Sequence, residues 1–372
     1  MIALRYQNQL RNLLAPAQVA LNGSHPWDIQ VRDPIFAQRV LSQGSLGVGE
    51  SYMDAQWDCE RLDEMMFRVF RSRIDAHLPG LRLLWAALVA KLFNPQTPTR
   101  SYKVGQQHYD IGDDLYQRML DPRMIYSCAY WRNAHSLEAA QEAKLNLVCR
   151  KLGLQPGMSV LDIGCGWGGA AQFAAQRYGV YVTGLTISRN QAATARKRCE
   201  GLPVEIKLCD YRSLEGRFDR IYSLGMFEHV GLRNYRTYFQ CARRLLADDG
   251  LMLLHTIGQN TSEQANDPWI ERYIFPNSSI PSMAQIARAA EKIFIVEDWH
   301  NFGVDYDRTL MEWHQRFNQY WPELEWRYGE RFKRMWNFWL LASAAYFRAR
   351  RDQLWQVVLS PNGIAGGYQE VR

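Results

Sequence analysis

Glu228, His229 and His255 are polar side chains whose spacing aims them where a substrate would sit. Glu228 and His229 lie in Gly225-Met226-Phe227-Glu228-His229-Val230-Gly231, where one apolar run ends. His255 lies in Leu254-His255-Thr256-Ile257-Gly258, where the next one ends. Either histidine alone fits a hydrogen-bonded structural role as well as a catalytic one. Polar groups at two adjacent strand ends point into one crevice, and together they favour a site. They lack ligand spacing of the HxxxH kind, so no metal is expected.

A second group surrounds Met158-Ser159-Val160-Leu161-Asp162-Ile163-Gly164-Cys165-Gly166-Trp167-Gly168-Gly169. An apolar run, an acid, a glycine-rich turn and an alanine-rich start read as strand, tight loop and helix N-terminus. Gly164, Gly166 and Gly168 let the backbone pass close to a ligand, and the helix end offers free N–H groups. A dinucleotide fold places its acid roughly 20 residues further on and holds a pyrophosphate at the helix end. Asp162 instead precedes the glycines. There it would repel a pyrophosphate and suit an ammonium, such as that of the methionine part of S-adenosylmethionine. Later strand ends supply further contacts to such a ligand. Thr186 and Gln191 would take the ribose hydroxyls, where many methyltransferases carry an acid. Asp210 and Tyr211 would meet the adenine with an acceptor and a ring face.

These residues need a scaffold that gathers strand ends. Strands are expected over 158–163, 180–186, 203–208, 218–224, 250–257, 293–299 and 354–359, with helices over 169–178, 189–199, 233–246 and 284–291. Such alternation predicts an α/β fold, a mostly parallel sheet with helices on both faces and ligands at the carboxyl ends of its strands. A helical region from Asp305 to Arg350 precedes the last strand, which is therefore expected to run antiparallel. Trp313, Phe317, Tyr320, Trp321, Phe332, Trp336, Trp339, Tyr346 and Phe347 recur there near helical spacing. That spacing favours core, though it could also wall a channel for an acyl chain.

The first 93 residues read as a smaller, mainly helical domain. Helices are expected over 4–14, 35–41, 62–74 and 81–93, with a short strand at 29–31. Gly44-Ser45-Leu46-Gly47-Val48-Gly49 is read as a turn, not a phosphate loop, because no strand precedes it and no Gly-Lys-Ser follows. Arg61, Arg68, Arg71, Arg73, Arg82, Lys91 and Arg100 flank the last two helical stretches. An apolar face with cationic flanks can lie on an anionic bilayer, and two core helices explain the pattern equally well. A proline-containing linker, residues 94–100, separates this part from a catalytic domain over 101–372. That domain opens with the aromatic, polar segments His108–Tyr116 and Tyr126–Trp131, which suggest a lid, and a helix over 137–152.

Composition bounds the answer. At 372 residues the chain can bury a large core and has room for two domains. A net charge of +6 suits an anionic partner, but the basic residues are dispersed and nucleic acid is not favoured. Seven scattered cysteines, an odd number with no CxxC pair, fit a reduced, cytoplasmic setting. No apolar run reaches the roughly 18 residues of a spanning helix, and no secretory signal pattern opens the chain.

The motif order closely resembles the cyclopropane-fatty-acyl-phospholipid synthases. It runs His108-Tyr-Asp-Ile-Gly, Tyr126-Ser-Cys-Ala-Tyr-Trp, Leu161-Asp-Ile-Gly-Cys-Gly-Trp-Gly-Gly, Met226-Phe-Glu-His-Val-Gly, Leu254-His-Thr-Ile-Gly and Asp298-Trp-His-Asn-Phe-Gly. The likeness extends to Asn22-Gly-Ser and Gly44-Ser-Leu-Gly-Val-Gly-Glu-Ser-Tyr-Met, in a domain that the similar mycolic acid cyclopropane synthases lack. The resemblance implies a Rossmann-like class I S-adenosylmethionine-dependent methyltransferase fold. It also implies transfer of a methylene from S-adenosylmethionine across a cis double bond of a phospholipid acyl chain.

An alkene is a poor nucleophile, so the sulfonium methyl must be held in line with it. Attack leaves a carbocation, and a base must take a proton from the new methyl before water intervenes, in a dry pocket. In the family that base is bicarbonate. The resemblance assigns its holders to Cys128, Glu228, His255, Ile257 through its backbone, and Tyr306, and it adds Tyr126 and Ser127 to the cofactor contacts. Cys128 as a covalent nucleophile is an alternative that this reaction does not require. A homodimer working at the inner face of the membrane is likewise implied. Two other outcomes stay open: a methyl- or methylene-branched lipid or an N-methylated small molecule, and a non-catalytic binding protein of the same fold.

Overall fold

Each short apolar run between residues 158 and 360 is followed or preceded by a segment able to cover one sheet face, and this alternation builds the sheet. In a computed structural model, which describes residues 2–74, 112–262 and 267–372, the chain forms these elements in order. First come α1 (Ile2–Leu14), β1 (Gln30–Val31), α2 (Ile35–Gln43), α3 (Ser45–Met53), β2 (Trp57–Asp58) and α4 (Leu62–Ser72). Then follow α5 (Asp113–Met119), α6 (Leu137–Lys151), β3 (Ser159–Ile163), α7 (Gly169–Tyr178), β4 (Tyr181–Thr186), α8 (Arg189–Arg198) and β5 (Val204–Leu208). β6 (Phe218–Leu224), α9 (Tyr235–Leu245), β7 (Leu246–Gln259), α10 (Pro268–Tyr273), α11 (Met283–Ala290) and β8 (Ile295–Asn301) come next. The chain closes with α12 (Val304–Gln319), α13 (Trp321–Arg348), which is broken at Gly329, and β9 (Asp352–Ser360).

The seven-stranded sheet has the order β5-β4-β3-β6-β7-β9-β8. β3 pairs in parallel with β4 on one side and β6 on the other, so the strand order reverses at β3. Loops leaving either side of such a reversal diverge and open a crevice at the carboxyl ends. β8 and β9 pair antiparallel, the direction expected of the last strand. Each strand expected from 158 onward forms. Side chains alternate across the sheet: Leu161 and Ile163 join the core under α9 and α11, while Val160 joins the one under α6 and α7. Serines stop the fraying of helix starts. Ser136 and Ser188 accept backbone N–H bonds at α6 and α8, and Ser282 forms a capping box with Gln285 at α11.

Contacts divide the chain into two compact units. One joins residues 1–93 to 263–276 and 306–352, and the other holds 94–262, 277–305 and 353–372. The late aromatic helices thus group with the N-terminal helices rather than with the sheet. In that first unit α13 packs on α3 and α4. Arg334 pairs with Asp58 at 2.7 Å and Arg348 with Asp63 at 2.9 Å. Leu62, Met65 and Met66 are buried, so the apolar stripe of α4 faces core.

The reading of Gly44–Gly49 as a turn needs correction: only Gly44 turns, at φ 61°, and Ser45–Met53 is helix. Gly47 and Gly49 serve close approach instead. A Cβ on Gly47 would overlap the Arg39 carbonyl, and one on Gly49 the Trp269 indole. The stretch 81–93, the linker 94–100 and His108–Ile111 lie outside the described residues. Among the described residues no helix is long and apolar enough to cross a membrane.

Candidate active site

Asp162 stands at the reversal point, with Gly184 of β4 and Tyr222 of β6 as its register partners. Its side chain is 1% exposed, and Oδ2 has no hydrogen-bond partner. Burial pushes the carboxyl up to about 7, against the pull of Tyr222 and Lys144. A buried acid in this state suits a cationic ligand group, which would favour its ionised form. The loop beyond it is tied down by Gly164 and Cys165, whose N–H groups both donate to Leu185 O, at 3.1 and 2.8 Å. Gly164 and Gly168 take φ of 94° and 80°, where a side chain would be strained, and Gly166 also lies at positive φ, 53°.

The neighbouring candidates are already engaged with one another. Thr186 Oγ1 donates to Gln191 Oε1 at 2.9 Å, and Ser188 N–H donates back to Thr186 Oγ1. This pair uses the Gln191 amide oxygen and not its N–H groups. Asp210 is clasped by Arg212, with contacts of 2.8 Å to Oδ1 and 2.6 Å to Oδ2. Any further donor must share those oxygens. Tyr211 packs edge-on against Tyr238 at 5.3 Å.

The segment before α6 reaches the same region. A Cβ on Gly225, just past β6, would lie 3.5 Å from Ser127 Cβ. Tyr126 packs on Tyr116, and the buried Cys128 thiol donates to the Ala129 carbonyl at 3.2 Å. Beneath them lies Lys144, fully buried, donating to Ser127 Oγ at 2.8 Å. Burial lowers this ammonium to about 8, while Asp121, Cys128 and Asp162 oppose the shift. The sequence places Lys144 only within the helix expected over 137–152, with no role of its own. The available signal was its position, in register with Ala140, Leu147 and Val148 where an apolar residue is expected. Asp113 was also missed. It accepts from Trp167, Asn190 and Thr194 at 3.1, 3.2 and 3.0 Å, tying α5 to the glycine loop and α8.

β6 and β7 run side by side, with Leu224 opposite His255. Past β6 a single 3-10 turn, Phe227–His229, turns Glu228 back toward β7. Glu228 Oε1 accepts the Ile257 N–H at 2.7 Å, while Oε2 is buried without a partner. Burial pushes this carboxyl up to about 7, opposed by the Ile257 N–H and by the nearby Thr256 hydroxyl, which donates to the Ile257 carbonyl at 3.0 Å. Ile257 N–H reaches any second acceptor only by sharing that hydrogen. His255 is 1% exposed; its Nδ1 lies 3.3 Å from Gln356 Nε2, and its own Nε2 has no partner. Burial, then Lys144 and Lys151, keep the ring neutral. His229 shares the Glu228 turn and is held down to about 4 by burial.

Phe302 links the two groups of residues, 5.9 Å from His255 and 5.2 Å from Tyr130 between ring centroids. Glu228, His255, Ile257 and Cys128 all belong to the sheet unit, Glu228 just past β6 and His255 and Ile257 on β7. Tyr306 belongs to the other unit, where its ring packs on Phe347 at 4.6 Å. Among the described residues no cluster of acids, histidines and cysteines could hold a metal ion. The arrangement offers a buried acid beside a glycine loop and, at adjacent strand ends, one carboxyl and one imidazole each with an unused polar atom.

A family model described as mycolic acid cyclopropane synthetase matches residues 96–357. The chain is 54% identical over 365 residues to the cyclopropane-fatty-acyl-phospholipid synthase of Escherichia coli strain K12, covering 97% of this chain and 94% of that one. The crystal structure of a mycolic acid cyclopropane synthase complexed with SAH and CTAB superposes with a TM-score of 0.65 at 32% identity, over 69% of this chain and 97% of that one. Coclaurine N-methyltransferase, solved with N-methylheliamine and SAH, gives a TM-score of 0.70 at 23% identity, over 84% and 98%, a likeness of fold.

Proposed function

Since the chain belongs to the mycolic acid cyclopropane synthetase family and is an S-adenosylmethionine-dependent methyltransferase, we propose a reaction of the cyclopropane-fatty-acyl-phospholipid synthase kind, with bicarbonate as its base. The methyl goes to the cis double bond of an unsaturated phospholipid chain, and loss of one of its protons closes the ring. Asp162 receives the methionine ammonium, the glycine loop passes along the ligand, and Thr186, Gln191, Asp210 and Tyr211 take the nucleoside. Tyr126 and Ser127 cover the cofactor from the segment before α6.

The observation that carries the proton-removing half is the pair of unused buried atoms, Glu228 Oε2 and His255 Nε2, at adjacent strand ends. A buried polar atom without a partner needs an explanation, and two of them on a carboxyl and an imidazole in neighbouring strands support a bound group. An imidazole N–H and a carboxyl that keeps its proton to about 7 both donate, so they fit a small anion. Bicarbonate bound there would supply the base. Cys128 and the Ile257 backbone border it, and Tyr306 enters this proposal from the sequence resemblance alone. The protein works in the cytoplasm as a homodimer on the inner face of the membrane, with its first 93 residues helping to engage lipid.

The test is incubation of purified protein with vesicles of cis-unsaturated phospholipid, S-adenosylmethionine and graded bicarbonate. Each modified chain should gain the mass of one CH₂, ring protons should resonate upfield in NMR, and the rate should rise with bicarbonate. Branched-chain signals would favour a methyl- or methylene-branching C-methyltransferase. No mass gain would sink the lipid reading, and a rate indifferent to bicarbonate would sink the base.

A further inference from the structure

Gln356 lies on β9, between β7 and β8, and is fully buried. Its amide Nε2 is 3.3 Å from His255 Nδ1. With the amide in this orientation, which leaves Gln356 Oε1 without a partner, the nitrogen donates, Nδ1 presents its lone pair and the ring hydrogen sits on Nε2. Nε2 is the ring atom without a partner. We propose that Gln356 is a positioning residue that holds His255 in the Nε2–H tautomer, so that a neutral imidazole offers a donor to the bound anion.

The choice of an amide has a chemical reason. In acid–histidine pairs a carboxylate at Nδ1 takes a ring N–H and leaves Nε2 as a base. Gln356 does the reverse: it occupies the Nδ1 lone pair and makes Nε2 a donor. A base at Nε2 would compete with bicarbonate for the role proposed above, whereas a donor would hold it. With Gln356 turned the other way, Oε1 would accept from Nδ1–H and His255 would itself be the base. The orientation of this one amide thus separates two mechanisms. Partners that fix the tautomer of metal-ligating histidines change affinity or activity by about 10–100-fold when removed, and the same scale is taken for this imidazole. The inference rests on the anion reading for its purpose but not for its readout.

The experiment uses full-length protein labelled with ¹⁵N-histidine, in bicarbonate-free buffer, with long-range ¹H–¹⁵N correlation. His255→Asn identifies the His255 signals. Wild type should show the Nε2–H pattern. Gln356→Met, similar in volume, should leave the ring in a tautomer mixture, and Gln356→Glu should move the hydrogen to Nδ1. Both variants should lose about 10–100-fold in kcat with the KM for S-adenosylmethionine little changed. An Nδ1–H ring in wild type, or an unaltered Nε2–H ring in both variants, overturns the proposal. If the tautomer follows Gln356 while the rate ignores bicarbonate, the positioning role stands and the anion reading alone fails.

Discussion

In its proposed role as receiver of the cofactor ammonium, Asp162 would couple ligand affinity to pH. Without a ligand its carboxyl keeps a proton up to about 7, because burial penalises the charge more than Tyr222 and Lys144 relieve it. An ammonium needs the ionised form, so S-adenosylmethionine should bind more tightly as pH rises through about 7. The gain should stop near pH ~8, where an α-amino group loses its own proton. Calorimetric titration of wild type should therefore give a maximum between these values, and Asp162→Asn should bind more weakly with the acid-side slope gone. The stability of the ligand-free protein carries the opposite sign. The unfolded carboxyl ionises near its ordinary 3.8 while the folded one stays protonated to about 7, so this group's contribution falls as pH rises across that interval. An affinity flat from pH 6 to 8 in wild type would remove Asp162 from the ligand site.

Among the elements, β7 presents two of the residues proposed to hold the anion, His255 and Ile257, and lies beside the buried strand β9. Gly258 shows how tight that packing is: a Cβ there would run into the six-membered ring of Trp355 on β9. Overpacking of this kind costs about 1–3 kcal/mol. Gly258→Ala should therefore lower the melting temperature measured by circular dichroism. It should also reduce activity, because the strain falls on the strand that aligns His255 with Gln356. An unchanged melting temperature would mean that β7 and β9 separate easily, which would weaken the positioning argument. Glu228 depends on an element in the same way, since only the 3-10 turn after β6 brings its carboxyl to the Ile257 N–H.

At the scale of the whole molecule, the proposed meeting with a phospholipid surface can be tested through charge; among the described residues no helix is long and apolar enough to cross a membrane. The net charge of +6 favours an anionic leaflet. Each cationic side chain near such a surface contributes about 1 kcal/mol, and salt screens it. Vesicle flotation should show stronger binding to anionic than to neutral unsaturated lipid, with the bound fraction falling as salt rises from about 0.05 to 0.5 M. Equal, salt-insensitive binding to both would replace this electrostatic account with an apolar one. The apolar stripe of α4 is not available for that purpose, since Leu62, Met65 and Met66 lie in the core.

Local order in the sequence determined the local elements. Alternating apolar runs marked β3 through β9, the glycines after Asp162 marked a loop, and the polar residues closing two apolar runs put Glu228 and His255 at strand ends. Strand and helix periods and turn chemistry act within a few residues, and a linear reading captures them. Tertiary structure decided what depends on residues far apart in the chain. It made a helix of Ser45–Met53 by packing Gly49 under Trp269, buried Lys144 beneath Ser127, and closed Arg212 on Asp210. Above all it inserted β9 between β7 and β8, which set Gln356 against a histidine far earlier in the chain. Burial of the two core faces chose that strand order, and no local pattern around Gln356 encodes the contact.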